Sequence, residues 1–162
     1  MDFVDEPCLN KVLKVEQRGF GYLTPDSKKD YLETVGLFVC LGVYCEKRGE
    51  FQVLCHFDTD PVKQFNIMMK YLYKNDFSNT DFDRVEIIGG RNAFVPNIEK
   101  LSFSMETRGY YAEVKVFDLR SVSILYDKMG GYKFLNPKRE IINSSILLMK
   151  GIKCENTGFE IF

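Results

Sequence analysis

The stretch "CLGVYCEKRGEFQVLCHFDT", Cys40–Thr59, holds three of the chain's five cysteines and its only histidine, His56. Its two apolar runs, Thr34 to Glu46 and Glu50 to Phe57, read as strands, and Lys47-Arg48-Gly49 suits a three-residue hairpin loop whose glycine takes the left-handed position. That register sets Glu46 opposite Glu50 and Cys45 opposite Phe51, and it carries Cys40 opposite His56. Opposed residues place their Cβ atoms about 4.5–5.5 Å apart on one face of the ladder. The thiol and the imidazole therefore share a face with Gly42, Tyr44, Gln52 and Leu54, a mixed surface suited to lining a cleft. The opposite face collects Leu41, Val43, Cys45, Phe51, Val53, Cys55 and Phe57, an unbroken apolar set that marks Cys45 and Cys55 as core.

Beyond this hairpin, the period changes between Asp60 and Asn75. Asp60 can cap a helix, Pro61 suits its first position, and Phe65, Met68, Met69 and Leu72 recur at i, i+3, i+4 and i+7. Lys11 to Gln17 reads as a first strand, and Thr24 to Asp30 as turn chemistry followed by a polar connection. Asp83 to Ile88 reads as a short strand stopped by Gly89-Gly90, a pair that calls for unusual backbone angles or the close approach of another segment. Tyr110 to Phe117 and Ser121 to Tyr126 flank "DLRS" as a hairpin, and Tyr132 to Leu135 and Ile141 to Met149 add two apolar runs. Strands dominate around one clear central helix. The expected fold is α+β, with mixed and antiparallel sheets packed as a layered sandwich and helical cover on a face.

At 162 residues, one domain spanning 1–162 is expected, with no repeat or low-complexity tract to divide it. The apolar fraction of 45% and the charged fraction of 28% are those of a globular chain rather than a disordered one. Lys and Arg total 22 against 23 Asp and Glu, so neither nucleic acid nor an anionic membrane is expected as a partner. Five scattered cysteines, no basic N-terminal region with an apolar run, and no apolar stretch of about 18 residues point to a reducing, cytoplasmic setting. Delivery into another cell by a route that needs no signal peptide is compatible with the same features.

Three chemistries compete for Cys40 and His56. A metal centre wants about four ligands, and Cys45, Cys55 and His56 match no familiar zinc spacing while two of them face the core. Ordinary core residues are the second option, because free cysteine is among the most buried side chains. The third is an activated thiol, which needs a base within reach and a further group to orient that base. No cofactor and no metal is expected under it.

At these residues the chain resembles the cysteine amidohydrolases typified by the chemoreceptor glutamine deamidase, the catalytic domain of cytotoxic necrotizing factor and the protein N-terminal asparagine amidohydrolase. The resemblance runs from Thr34 to Gly90. It is carried by Thr34 six positions before Cys40, the strand "LGVYC", His56 sixteen positions on, the "HFDTD" continuation, the helix that follows and "VEIIGG". The chain differs from the family in placing Phe38-Val39, rather than small residues, before the cysteine. What the resemblance implies is a layered fold with flanking helices, a Cys40–His56 pair completed by Thr34, and hydrolysis of a Gln or Asn carboxamide on a protein or peptide. Asp58 is the alternative orienting group. An imidazolium partner is expected to lower the thiol pKa. Transamidation shares the same thioester, and a non-catalytic interaction domain contacting partners through Phe38, Tyr44 and Tyr110-Tyr111 is the competing class.

Overall fold

The computed structural model describes residues 10–75 and 82–135, together with the strand backbones at 141–142, 152–155 and 158–161. Among the described residues the chain is mixed α+β, mostly strand, with two helices and two five-stranded sheets. The hairpin sits at the middle of one sheet: β4 (Leu41–Lys47) and β5 (Phe51–Phe57) are its inner strands, flanked by β2 (Gly19–Leu23) on one side and by β6 (Arg84–Gly89) and β7 (Glu113–Val116) on the other. The second sheet runs β1 (Val12–Val15), β3 (Tyr31–Leu37), β8 (Val122–Asp127), β9 (Tyr132–Leu135) and β10 (Ile141–Ile142). Both sheets are mixed, since β1 pairs with β3 and β6 with β7 in parallel while the other pairs are antiparallel. A separate pair, β11 (Ile152–Glu155) with β12 (Gly158–Ile161), is antiparallel.

The helices form the outer layer. Helix α1 (Pro61–Lys74) begins where Asp60 accepts from the Lys63 backbone N–H at 3.2 Å, and it buries Phe65, Met68, Met69 and Leu72, the four positions its sequence period singles out. Helix α2 (Val95–Thr107) lies in a stretch for which the sequence suggests no element. Its inward stripe, Ile98, Leu101, Ser102 and Met105, is interrupted by a serine, and Phe103 faces outward at 67% exposure, so the amphipathic signal is diluted. Both helices cover the face made by Leu41, Val43, Cys45, Phe51, Val53, Cys55 and Phe57, which form one buried cluster as their alternation requires.

The other face of the hairpin sheet, carrying Tyr44 and Leu54, packs on Leu32, Leu37, Val122, Ile124, Tyr126 and Phe134 of the second sheet. The result is a helix layer on a sheet on a sheet. The face expected to line a cleft is therefore an interior: Tyr44 and Leu54 are fully buried and Gln52 nearly so. Tyr44 stacks on Tyr126 with centroids 3.8 Å apart and cannot serve as a partner contact. A buried polar cluster closes the same interlayer, where Glu86 accepts from Arg84, from Lys115 at 2.6 Å and from the Tyr126 hydroxyl at 2.8 Å.

Two sequence expectations change. Thr34 to Glu46 is not one strand, because the chain leaves the second sheet after Leu37 and enters the hairpin sheet at Leu41 through the bend at 38–40. Tyr110 to Phe117 and Ser121 to Tyr126 do not form a hairpin, since β7 and β8 belong to different sheets. Their connection is held by other partners: Arg91 donates its backbone N–H to Leu119 O and Phe117 donates to Gly89 O. Gly90 serves this convergence by close approach, as a Cβ there would lie 2.8 Å from Leu119 O and 3.1 Å from Leu37 O. Of the run Ile141 to Met149, only Ile141–Ile142 falls within the described residues.

Candidate functional site

The hairpin loop differs from the expected one by a step that matters. Glu50 donates its backbone N–H to Lys47 O at 2.9 Å, and Gly49 has φ +78°, so Lys47-Arg48-Gly49-Glu50 is a tight turn with its glycine at the third position. Lys47 then faces Phe51, Glu46 faces Gln52, and His56 faces Gly42 rather than Cys40. The shift is two residues, an even number, so every side chain keeps its face. Cys40, one residue before β4, packs in the interlayer cluster with Tyr44 and Leu54 on the side that His56 shares, and Gly42 puts no side chain there. The like-charge pair of Glu46 with Glu50 that the expected register required does not occur.

His56 is oriented from the second sheet. Thr34 on β3 lies 2.8 Å from His56 Nδ1, and its hydroxyl donates at 2.9 Å to Val15 O on β1. A hydroxyl has one proton, and a carbonyl can only accept. With that proton committed to Val15, Thr34 accepts from Nδ1–H, which fixes the neutral imidazole in the Nδ1–H tautomer. Nε2 then carries the lone pair. It is buried and has no hydrogen-bond partner among the described residues, so no hydrogen bond joins it to the Cys40 sulfur.

The electrostatics favour neutral groups. Burial pushes the Cys40 thiol up and nearby Asp58 adds to the shift, while burial pulls His56 down against the opposing pull of Asp58 and Glu16. Both directions favour a neutral thiol and a neutral imidazole over the expected thiolate–imidazolium pair. Asp58 does not orient His56. Burial raises its pKa, but hydrogen bonds from Arg18, from Gln64 and from the Thr59 backbone outweigh this and hold it down to about 2. Gln64 of α1 donates to its Oδ1 at 2.5 Å.

Cys40 is 8% and His56 4% exposed, and the residues that precede the thiol, Phe38 and Val39, stand out at 40% and 52%. Arg120 lies over the Phe38 ring at 5.5 Å. A cavity of about 460 Å³ lies at the turn end of the hairpin, lined in part by Glu46, Arg48, Gln52 and Lys128. Cys45 and Cys55 are fully buried with thiols pushed up by burial, in line with their core assignment. Of the predicted residues, Thr34 and His56 meet directly and Cys40 shares their side of the ladder. Sequence reasoning missed Arg18 and Gln64, which reach Asp58 from the β1–β2 turn and from α1, and neither belongs to a local motif that could have revealed it. Among the described residues no helix is long and apolar enough to cross a membrane. No protein-family model matches the chain, and no curated protein matches it.

Proposed function

We propose that the chain is a thiol-dependent hydrolase that deamidates a Gln or Asn carboxamide of a protein or peptide, with Cys40 as nucleophile, His56 as base and Thr34 as its orienting group. The observation that carries this reading is the buried Nε2 of His56, without a partner among the described residues and held with its lone pair free by the Thr34–Val15 chain on the face that bears Cys40. An imidazole kept only for packing gains nothing from leaving a buried nitrogen unsatisfied, which costs about 1–3 kcal/mol. The two-sheet sandwich with helices on one outer face supports the likeness to the chemoreceptor glutamine deamidase group.

In this mechanism Nε2 removes the thiol proton as Cys40 Sγ bonds to the carboxamide carbon. The C–N bond then breaks, and the leaving nitrogen takes the proton from His56 and departs as ammonia. Water adds to the thioester with His56 again as base, the C–S bond breaks, and the sulfur recovers its proton as the carboxylate leaves. A neutral thiol and a neutral base suit this order, because the proton moves during attack rather than before it. Burial of the pair requires the substrate side chain to reach the sulfur past Phe38 and Val39.

Candidate proteins incubated with the chain should release ammonia and gain about one dalton per amide converted to acid. Cys40→Ser and His56→Ala should each abolish both signals, and wild-type rates from either variant would dispose of the reading. The exposed Phe38 and Val39 also favour a second reading, a non-catalytic interaction domain docking through that rim. It requires Phe38→Asp to abolish binding while Cys40→Ser leaves binding intact and no ammonia is released.

A further inference from the structure

The turn between β1 and β2 presents Arg18, the one non-glycine residue with positive φ among the described residues, at +63°. An L side chain is held in that region only where its surroundings demand it. Two bonds make the demand. The Arg18 backbone N–H donates to His56 O at 2.8 Å, and its guanidinium Nε donates to Asp58 Oδ2. The arginine side chain is 72% exposed while the carboxylate it meets is 6% exposed. Cys40 directly precedes β4 and Asp58 directly follows β5, so both sit at the end of the ladder where Leu41 faces Phe57, and Asp58 acts electrostatically on the thiol.

We propose that Arg18 is a positioning residue of the thiol site, acting through Asp58: its guanidinium holds and offsets the carboxylate at the Cys40 end of the strand pair. This rests on the reading of Cys40 and His56 as a working pair. A bare carboxylate at that position repels a developing thiolate and competes for the proton that His56 must pass on. Arg18 lessens that repulsion from the solvent side, where its guanidinium costs little to desolvate, while its backbone fastens the turn to the strand that carries His56. Gln64 and Gln17 share the carboxylate but bring no charge. The other charged groups around the site are Glu16 on the same turn, which acts on His56, and Arg120, which lies over the ring of Phe38.

The test is the pH dependence of Cys40 alkylation by iodoacetamide, resolved from the other cysteines by peptide mass mapping, in wild type, Arg18→Gly, Asp58→Asn and the double variant. Glycine is the residue best suited to φ +63°, so Arg18→Gly relieves the backbone while deleting the charge. Arg18→Gly should slow alkylation near neutral pH about three- to tenfold, a midpoint shift of about half to one unit, and Asp58→Asn should speed it by a similar factor. The double variant should match Asp58→Asn. Equal slowing by Arg18→Gly in both backgrounds, or no slowing in either, would overturn the proposal. The readout needs no substrate: a midpoint shift without ammonia release removes the deamidase reading alone, and ammonia release without a shift removes this proposal alone.

Discussion

Replacing Thr34 with valine tests the orientation of His56 most sharply, because it keeps the shape of the side chain and deletes one oxygen. Thr34 is 1% exposed, and that oxygen both accepts from His56 Nδ1–H and donates to Val15 O. Stranding a buried Nδ1–H costs about 1–3 kcal/mol, and losing the bond to Val15 costs about 0.5–1.5 kcal/mol. Thr34→Val should therefore lower stability by about 1.5–4.5 kcal/mol in urea unfolding, whereas Thr34→Ser, which keeps the hydroxyl and loses one methyl, should cost about 1 kcal/mol. The tautomer offers an independent reading. His56 is the sole histidine, so its two ring nitrogens give an unambiguous nitrogen-15 spectrum at pH 8. The wild type should show a protonated Nδ1 and a bare Nε2, and Thr34→Val should populate the other tautomer. A wild-type imidazole protonated at Nε2, or a Thr34→Val cost below about 0.5 kcal/mol, would refute the hydrogen-bond argument and with it the supply of a free base.

Glu86→Ala leaves Lys115, Arg84 and the Tyr126 hydroxyl without their shared acceptor, so urea unfolding should show a loss of about 3–5 kcal/mol, and a loss under about 1 kcal/mol would count against the cluster. Gly49→Ala and Gly90→Ala should differ in kind. The first has open space but φ +78° and should cost about 1–2 kcal/mol from the backbone alone. The second pushes a methyl onto two carbonyl oxygens and should move the 37–40 and 117–121 segments, read as changed amide exchange there and not at the turn. Because burial holds the folded His56 below the ordinary imidazole pKa of 6.5, the unfolded chain binds more protons there, so stability is full above that pH and falls as pH drops below it. The slope from this one group is at most about 1.4 kcal/mol per pH unit, and His56→Phe should flatten the curve between pH 7 and 5.5.

Local pattern was enough for helix α1, whose cap, proline and four apolar positions all lie within one segment, and for the apolar face of the hairpin, which alternation alone assigns. It was enough to put Cys40 and His56 on one side of a ladder, because any even shift of register preserves the face. The resemblance supplied Thr34 as a partner. The exact opposition of His56 was not legible, since Lys47 to Glu50 admits two glycine turns that differ by two residues in what they pair. Helix α2 was hidden by Ser102 in its inward stripe and Phe103 on its outward side.

What the amino-acid order determined by itself was whatever depends on neighbours along the chain: strand alternation, the cap at Asp60, the turn at Gly49 and a sulfur and an imidazole on a common face. Tertiary structure alone decided that the common face lies inside, between two sheets, and that Asp58 answers to Arg18 rather than to His56. It also committed the proton of Thr34 to Val15, leaving the ring nitrogen bare. These outcomes depend on which distant strands pack together, and packing is settled by the burial of whole faces rather than by any short run of residues.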